Sequence, residues 1–153
     1  MKARMNHPAF VLPGTLDALQ ALSKTLENTG LPTGTVHLVH LRASQVNGCS
    51  FCVEMHTKEA VEAGESVERL FAVSAWRESQ RFTDAERAAL ALTEAMTRLA
   101  DRPDAVSDEV WDDVADLYDE KQLSALIMQI ATINVWNRIN ATIRQPAGVA
   151  PAV

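Results

Sequence analysis

Between Lys121 and Arg144 the chain runs through Leu123, Leu126, Ile127, Ile130, Ile133, Val135 and Ile139, with Arg138 the one charge between the ends. A segment that long with no polar face folds only as a helix at the centre of a bundle or in a subunit interface. The rest of the chain must therefore supply partners of matching shape, and its patterning does. Few windows alternate apolar and polar residues with a period of two, while many repeat at three and four. Aromatic residues make up only 5% of the chain, which suits close-packed helices better than a sandwich of strands. The expected fold class is all-α, a bundle of about six to seven helices.

Stop and start signals divide that bundle. Gly30 and Pro32 close a helix from about Thr15 to Asn28, and Asn47-Gly48 closes one from about Thr35 to Val46. A third starts at Cys49 and ends near Gly64. Ser66 reads as the cap of a short helix through Ser74 or Trp76, and Ser107 as the cap of one through Tyr118. Thr83-Asp84-Ala85-Glu86 is a capping box opening a helix to about Leu99. The 153 residues fit one domain, 1–153, with a core of about 15–144. The arm 1–14 and the Pro/Gly/Ala-rich tail 145–153 are expected to be loosely ordered. No solenoid-type repeat is present.

Twenty acidic against fourteen basic residues give a net charge of −6. With no basic block, no nucleic-acid or anionic-membrane surface is expected. No apolar run reaches the roughly 18 residues of a membrane span. The start, Met1 to Pro8, lacks the apolar core of a signal peptide, so the expected location is the cytoplasm. Thiols are held reduced there, and the only two cysteines, Cys49 and Cys52, form a Cys-x-x-Cys pair. Such a pair points to catalysis or metal binding rather than to a permanent disulfide.

On the third helix Cys49, Cys52, Val53, His56, Ala60 and Ala63 share one stripe, while Glu54, Lys58, Glu62 and Glu65 lie elsewhere. Both thiols and the imidazole therefore face inward. Cys49 sits at the helix N-terminus, where free N–H groups favour an anion and hence the reactive thiolate. His56, one turn past Cys52, is placed to take or return its proton. If Asn47-Gly48 reverses the chain, His37 and His56 end at similar heights on an antiparallel pair of helices. His37 or His40 would then hydrogen-bond to His56 and set its tautomer; the alternative is a half-exposed polar flank. Asn134, Asn137 and Arg138 interrupt the apolar helix and need partners, at a backbone end, a pocket or another subunit. Trp76, Trp111 and Trp136 read as core or interface anchors, and Arg42 as the partner of Glu59 or Glu62.

The run Leu41 to Cys49, then Cys52 and His56, then Ala75-Trp76-Arg77, then Ile133 to Arg138, resembles the AhpD-like branch of the carboxymuconolactone decarboxylase family. The resemblance spans about Val36 to Ile143. It implies an all-helical homo-oligomer, a homotrimer or homohexamer, that reduces hydroperoxides without a bound cofactor or metal and is recharged by a dithiol reductant, protein or small molecule. On matching positions it makes Cys52 the sulfur that attacks peroxide, Cys49 the proton donor and resolving thiol, and His56 part of the proton relay. Where the family relay usually has a glutamate, this chain has His37, which accepts a proton but supplies no negative charge. The two cysteines pull apart here: the helix end favours Cys49 as the more acidic thiol, the resemblance and nearness to His56 favour Cys52 as the attacker.

Three other readings follow from the same residues. Cys49, Cys52 and His56, with His37 or His40, offer four zinc ligands. The disulfide of a redox-sensing helical protein would alter assembly without peroxide turnover. A lactone decarboxylase of the family's other branch would not need the cysteine pair.

Overall fold

The computed structural model describes residues 2–152 and contains no strand among them. Its helices are α1 (Pro8–Val11), α2 (Thr15–Thr25), α3 (Thr33–Val46), α4 (Ser50–Glu62), α5 (Val67–Ala72), α6 (Asp84–Thr97), α7 (Asp108–Ala115) and α8 (Glu120–Ile143), with a 3-10 segment, Val73–Glu78, continuing α5. All seven helices expected from spacing are present, and α1 is an addition. The expected caps are made: the Ser66 side chain accepts from Arg69 N, Ser107 from Val110 N, and Thr83 and Glu86 bond reciprocally. A second capping box, Asp119 with Gln122, opens α8. Each side chain takes up backbone N–H groups that the first turn leaves without partners.

Helix α3 is the axis of the bundle, packed against α4, α6 and α8. Its Val39 joins Ala89, Leu92, Val114, Leu126 and Ile130 in one cluster, while Leu38 and Leu41 join Ala60, Leu70, Val73 and Leu90 in a second. Helix α6 supplies Ala88, Ala89 and Leu92 to the first cluster and Leu90 to the second, so both faces of α3 are filled. Within the single chain, helix α8 is not enclosed all round. Leu123, Leu126, Ile130 and Ile133 are buried, while Met128 and Val135 are 38% and 40% exposed.

The arm and the tail make hydrogen bonds to other parts of the chain. Arg4 N donates to Ile143 O at 2.8 Å and Arg4 Nη1 to Thr142 O at 3.0 Å, so the arm caps carbonyls that the end of α8 leaves open. His7 N donates to Ala152 O at 3.2 Å, and both His7 and Ala9 are buried. Carbonyls at the end of α8 and at Ala152 give the arm its partners. No helix among the described residues is long and apolar enough to cross a membrane.

The α3–α4 reversal positions the thiols. Gly48 N donates to Gln45 O and Cys49 N to Ser44 O, closing the end of α3 with Gly48 in the left-handed region at φ 66°. This is a Schellman ending, which glycine makes without steric cost. A Cβ on Gly48 would touch nothing within 4 Å, so a substitution there costs backbone strain alone. Gly48→Ala is expected to destabilise the fold by about 1–2 kcal/mol, and Gly48→Asn by less, since Asn tolerates that conformation. Guanidinium unfolding midpoints measure this, and an unchanged midpoint for the alanine variant would contradict the strain argument.

Candidate active site

Because Cys49 follows Gly48 directly, one turn both ends α3 and places Cys49 as the N-cap of α4. Its Sγ accepts from Cys52 N at 3.4 Å. Both sulfurs are withdrawn from solvent, Cys49 to 2% exposure and Cys52 to full burial. The Cys52 thiol donates to Cys49, and that bond, with further backbone N–H donors from the first turn of α4, lowers the Cys49 pKa to about 7 against the opposing effect of burial. Cys52 is pushed the other way, well above the ordinary thiol range, by donating its proton to Cys49, by burial and by the neighbouring negative sulfur. The resting anion therefore sits on Cys49, in agreement with the helix-end argument.

Helix α8 supplies the polar groups around Cys52. Asn134, Asn137 and Asn140 recur every three residues on its buried side. Asn140 Nδ2 donates to Cys52 Sγ at 3.5 Å, and Asn137 also bonds to that sulfur. Asn137 Nδ2 donates to Ser44 Oγ at 3.1 Å, while Asn47 Nδ2 donates at 2.9 Å to both Asn137 Oδ1 and Asn134 Oδ1. These asparagines thus fasten the end of α3, and so the cysteine turn, to α8. A backbone end, a pocket or another subunit was expected; Asn134 and Asn137 bond instead to the side chains of Asn47, Ser44 and Thr97, and Asn134 also to the Ile130 carbonyl of its own helix. Asn140 went unnoticed, although its i+3 spacing from Asn137 on an apolar helix was a readable signal.

His56 is buried at 5% exposure on the stripe that also buries Cys52 and Ala60; Ala63, expected there too, lies exposed just past the helix end. His56 Nδ1 and Glu59 Oε2 are 2.8 Å apart. A carboxylate only accepts, so Nδ1 carries the hydrogen and Nε2 faces the other way. The Glu59 carboxyl is held below its usual range chiefly by this bond. Arg42 was expected to pair with Glu59 or Glu62, but its Nε and Nη2 instead bind Glu94 at 2.8 and 2.6 Å, beside Trp76 Nε1 and Arg77. The i,i+3 spacing of His56 and Glu59 was the overlooked sign.

The ring against His56 is that of His40, not His37, with centroids 4.9 Å apart. His40 Nε2 lies 2.9 Å from Gln129 Oε1, and burial, with the adjacent His56, lowers the His40 pKa to about 3. His40 is therefore neutral across physiological pH. His37, one turn earlier, is half-buried and makes no hydrogen bond among the described residues. Its expected bond to His56 is not formed, and the negative charge it lacks is supplied by Glu59.

A small cleft lined by Gly48, Cys49, Ser50, Asn140 and Arg144 opens beside Cys49. A larger, mostly apolar cavity of about 480 Å³ has His40, His56, Glu59 and Asn140 in its wall but neither cysteine. Among the described residues no three His, Cys, Asp or Glu side chains converge as a metal site requires.

The model of the carboxymuconolactone decarboxylase family matches residues 13–95 of the chain. Protein YdfG of Bacillus subtilis is 35% identical over 85% of this chain and 87% of its own length. Protein YnjA of Escherichia coli is 34% identical over 72% of this chain and 59% of its own. Among solved structures, the Agrobacterium tumefaciens protein ATU0492, of unknown function and with an AhpD antioxidant-defence role suggested for it, superposes with a TM-score of 0.89. It is 34% identical, over 97% of this chain and all of that one. The debrominase Bmp8 superposes with a TM-score of 0.80 at 25% identity, over 91% and 74% of the two chains.

The acidity assigned to Cys49 has a direct readout. Alkylation of the reduced protein by iodoacetamide is expected to rise with pH through a midpoint near 7, as Cys49 ionises. Removing the S–H donor with Cys52→Ala moves that midpoint up, toward the ordinary thiol value. A midpoint that stays put in the variant would dissolve the proposed sulfur–sulfur bond.

Proposed function

The chain belongs to the carboxymuconolactone decarboxylase family, in its AhpD-like branch, and on that premise we propose that it is a Cys-based peroxidase cycling between the Cys49/Cys52 dithiol and its disulfide. The observation that carries this reading is the pairing of two buried sulfurs, one holding the proton and the other the charge near neutral pH.

In this reading the Cys52 proton crosses the S–H···S bond to Cys49 as Cys52 attacks the hydroperoxide. The S–O bond forms while the O–O bond breaks, leaving a Cys52 sulfenic acid and an alkoxide that takes the proton from Cys49 and departs as alcohol. The Cys49 thiolate then attacks the Cys52 sulfur. The S–O bond breaks, the disulfide closes, and the departing hydroxide leaves as water with a proton passed in through His56. Glu59 supports the cationic form of His56 during that transfer. The peroxide gains two electrons and the dithiol loses two. An external dithiol, protein or small molecule, restores the pair by two exchange steps through Cys49, which faces the smaller cleft. His37 acts only through the field at His40 and Glu59. A homotrimer or homohexamer belongs to the same proposal.

Trapping the sulfenic acid with dimedone distinguishes the two sulfurs. Under one equivalent of hydroperoxide, Cys49→Ser is expected to carry the adduct on Cys52, located by peptide mass, while Cys52→Ser carries none. The adduct appearing only in Cys52→Ser would reverse the two roles, and thiols that survive excess peroxide in the wild type would end the peroxidase reading.

The likeness to Bmp8, together with a mostly apolar cavity walled in part by His56 and Asn140, favours a second reading, reductive debromination. There the dithiol becomes a disulfide while a carbon–bromine bond is replaced by carbon–hydrogen and hydrogen bromide is released. A cysteine-to-alanine variant of Bmp8 has been solved in complex with 2,3,4-tribromopyrrole, which makes that molecule the probe. Bromide release from it by the reduced protein under anaerobic conditions is the test. No release over one turnover removes this reading.

A further inference from the structure

The cleft beside Cys49 has Arg144 in its wall and no carboxylate. That balance runs against the chain as a whole, whose net charge is −6. Other arginines are held in ion pairs: Arg42 and Arg77 meet Glu94, and Arg69 meets Glu65 and Glu86. The Arg144 side chain is exposed and makes no hydrogen bond or ion pair among the described residues. It is not one of the groups that set the acidity of Cys49, which are the Cys52 thiol, burial and the first-turn N–H groups of α4. Its charge is therefore free for a molecule that enters the cleft.

The backbone at Arg144 points the same way. At φ 54° and ψ 49° it sits in the left-handed region that ends α8, with Arg144 N donating to Ala141 O and Gln145 N to Asn140 O. Glycine makes such an ending without steric cost, whereas a residue with a β carbon is strained there. The end of α3 in the same cleft does use glycine, Gly48 at φ 66°. Backbone strain that a chain retains clusters at positions where the side chain serves a function.

We propose that Arg144 is a specificity-determining residue for the reductant, and that the cleft takes a small thiol bearing a carboxylate a few bonds from its sulfur. The guanidinium holds the carboxylate, which its fork matches with two parallel hydrogen bonds, while the sulfur reaches Cys49. At about 220 Å³ the cleft admits the end of such a molecule. Attraction to Arg144 also offsets the repulsion that an acidic protein exerts on an anionic thiol. The inference rests on the dithiol–disulfide cycle of the peroxidase reading, whichever oxidant closes the disulfide. In the exchange the reductant thiolate attacks Cys49 Sγ. The Cys49–Cys52 bond breaks, and the Cys52 sulfur takes the electron pair and a proton. A second thiolate attacks the reductant's sulfur in the mixed disulfide and releases the Cys49 thiolate. The reductant leaves as its own disulfide, two electrons poorer.

The test avoids peroxide. Diamide closes the disulfide, and the return of thiols is followed by acid quenching, alkylation and intact mass. The probes are 3-mercaptopropionate and its uncharged analogue 3-mercaptopropanol, with rates taken per thiolate. Comparing the ratio of the two rates between proteins cancels the intrinsic reactivity of each thiol. Arg144→Gln is expected to lower that ratio by about fivefold, the effect of one charge pair about 4 Å apart in water. Arg144→Lys is expected to keep most of it. Potassium chloride at about 0.5 M is expected to lower the wild-type ratio and to leave that of Arg144→Gln in place. A ratio equal in wild type and Arg144→Gln, a drop that Arg144→Lys shares in full, or a wild-type ratio indifferent to salt overturns the inference and leaves the peroxidase reading standing. The expected ratios in a protein whose thiols survive excess hydroperoxide support the role of Arg144 and defeat the peroxidase reading. A cysteine pair that diamide does not close overturns both.

Discussion

Two helices meet at Asn47-Gly48-Cys49, and the hydrogen bonds of that one turn must serve both. Gly48 and Cys49 donate backward to Gln45 and Ser44, ending α3, while Cys49 Sγ accepts forward from Cys52 N, starting α4. A cap is ordinarily an oxygen. With sulfur in that place, the partial positive charge at the start of α4 falls on the atom that chemistry would need as an anion. The cap, the acidity of Cys49 and the proton held by Cys52 are therefore three aspects of one arrangement. Alter the turn, and all three change together.

The asparagine ladder of α8 gives that turn its position in the bundle. Buried amides are costly unless every donor and acceptor is met, and here Asn47, Ser44, Thr97 and the Cys52 sulfur meet most of them. An all-apolar α8 could slide along α3 with little penalty. Asparagines at fixed intervals, each with its own partner, permit one register. That register also brings Asn140 to the sulfur and Thr132 to the cavity, so the same constraint orders the scaffold and the site.

Histidines show where local reasoning reached its limit. His56 could be placed on the buried stripe of its helix because i,i+4 neighbours share a face. Which residue of α3 it meets depends on the crossing angle and height of two helices, and residue counting across the turn pointed to His37. The crossing favours His40, and Gln129 from α8 then fixes it. Glu59 was within local reach, three residues from His56, but the competing partner Arg42 was drawn off by Glu94, a residue of α6 far along the chain.

Seven helices, the caps at Ser66, Thr83 and Ser107, the inward stripe of Cys49, Cys52 and His56, and the glycine reversal were all determined by the sequence alone. Each depends on contacts within three or four residues, where backbone geometry leaves few choices. The docked arm, the partners of Asn140 and Glu59, the ring beside His56 and the cavity between arm and α8 were decided only by tertiary structure. Most of these join residues distant along the chain, Arg4 with Thr142 and His7 with Ala152 at the extreme. Such pairings arise from how helices cross and which unsatisfied groups they bring together, which no local spacing encodes.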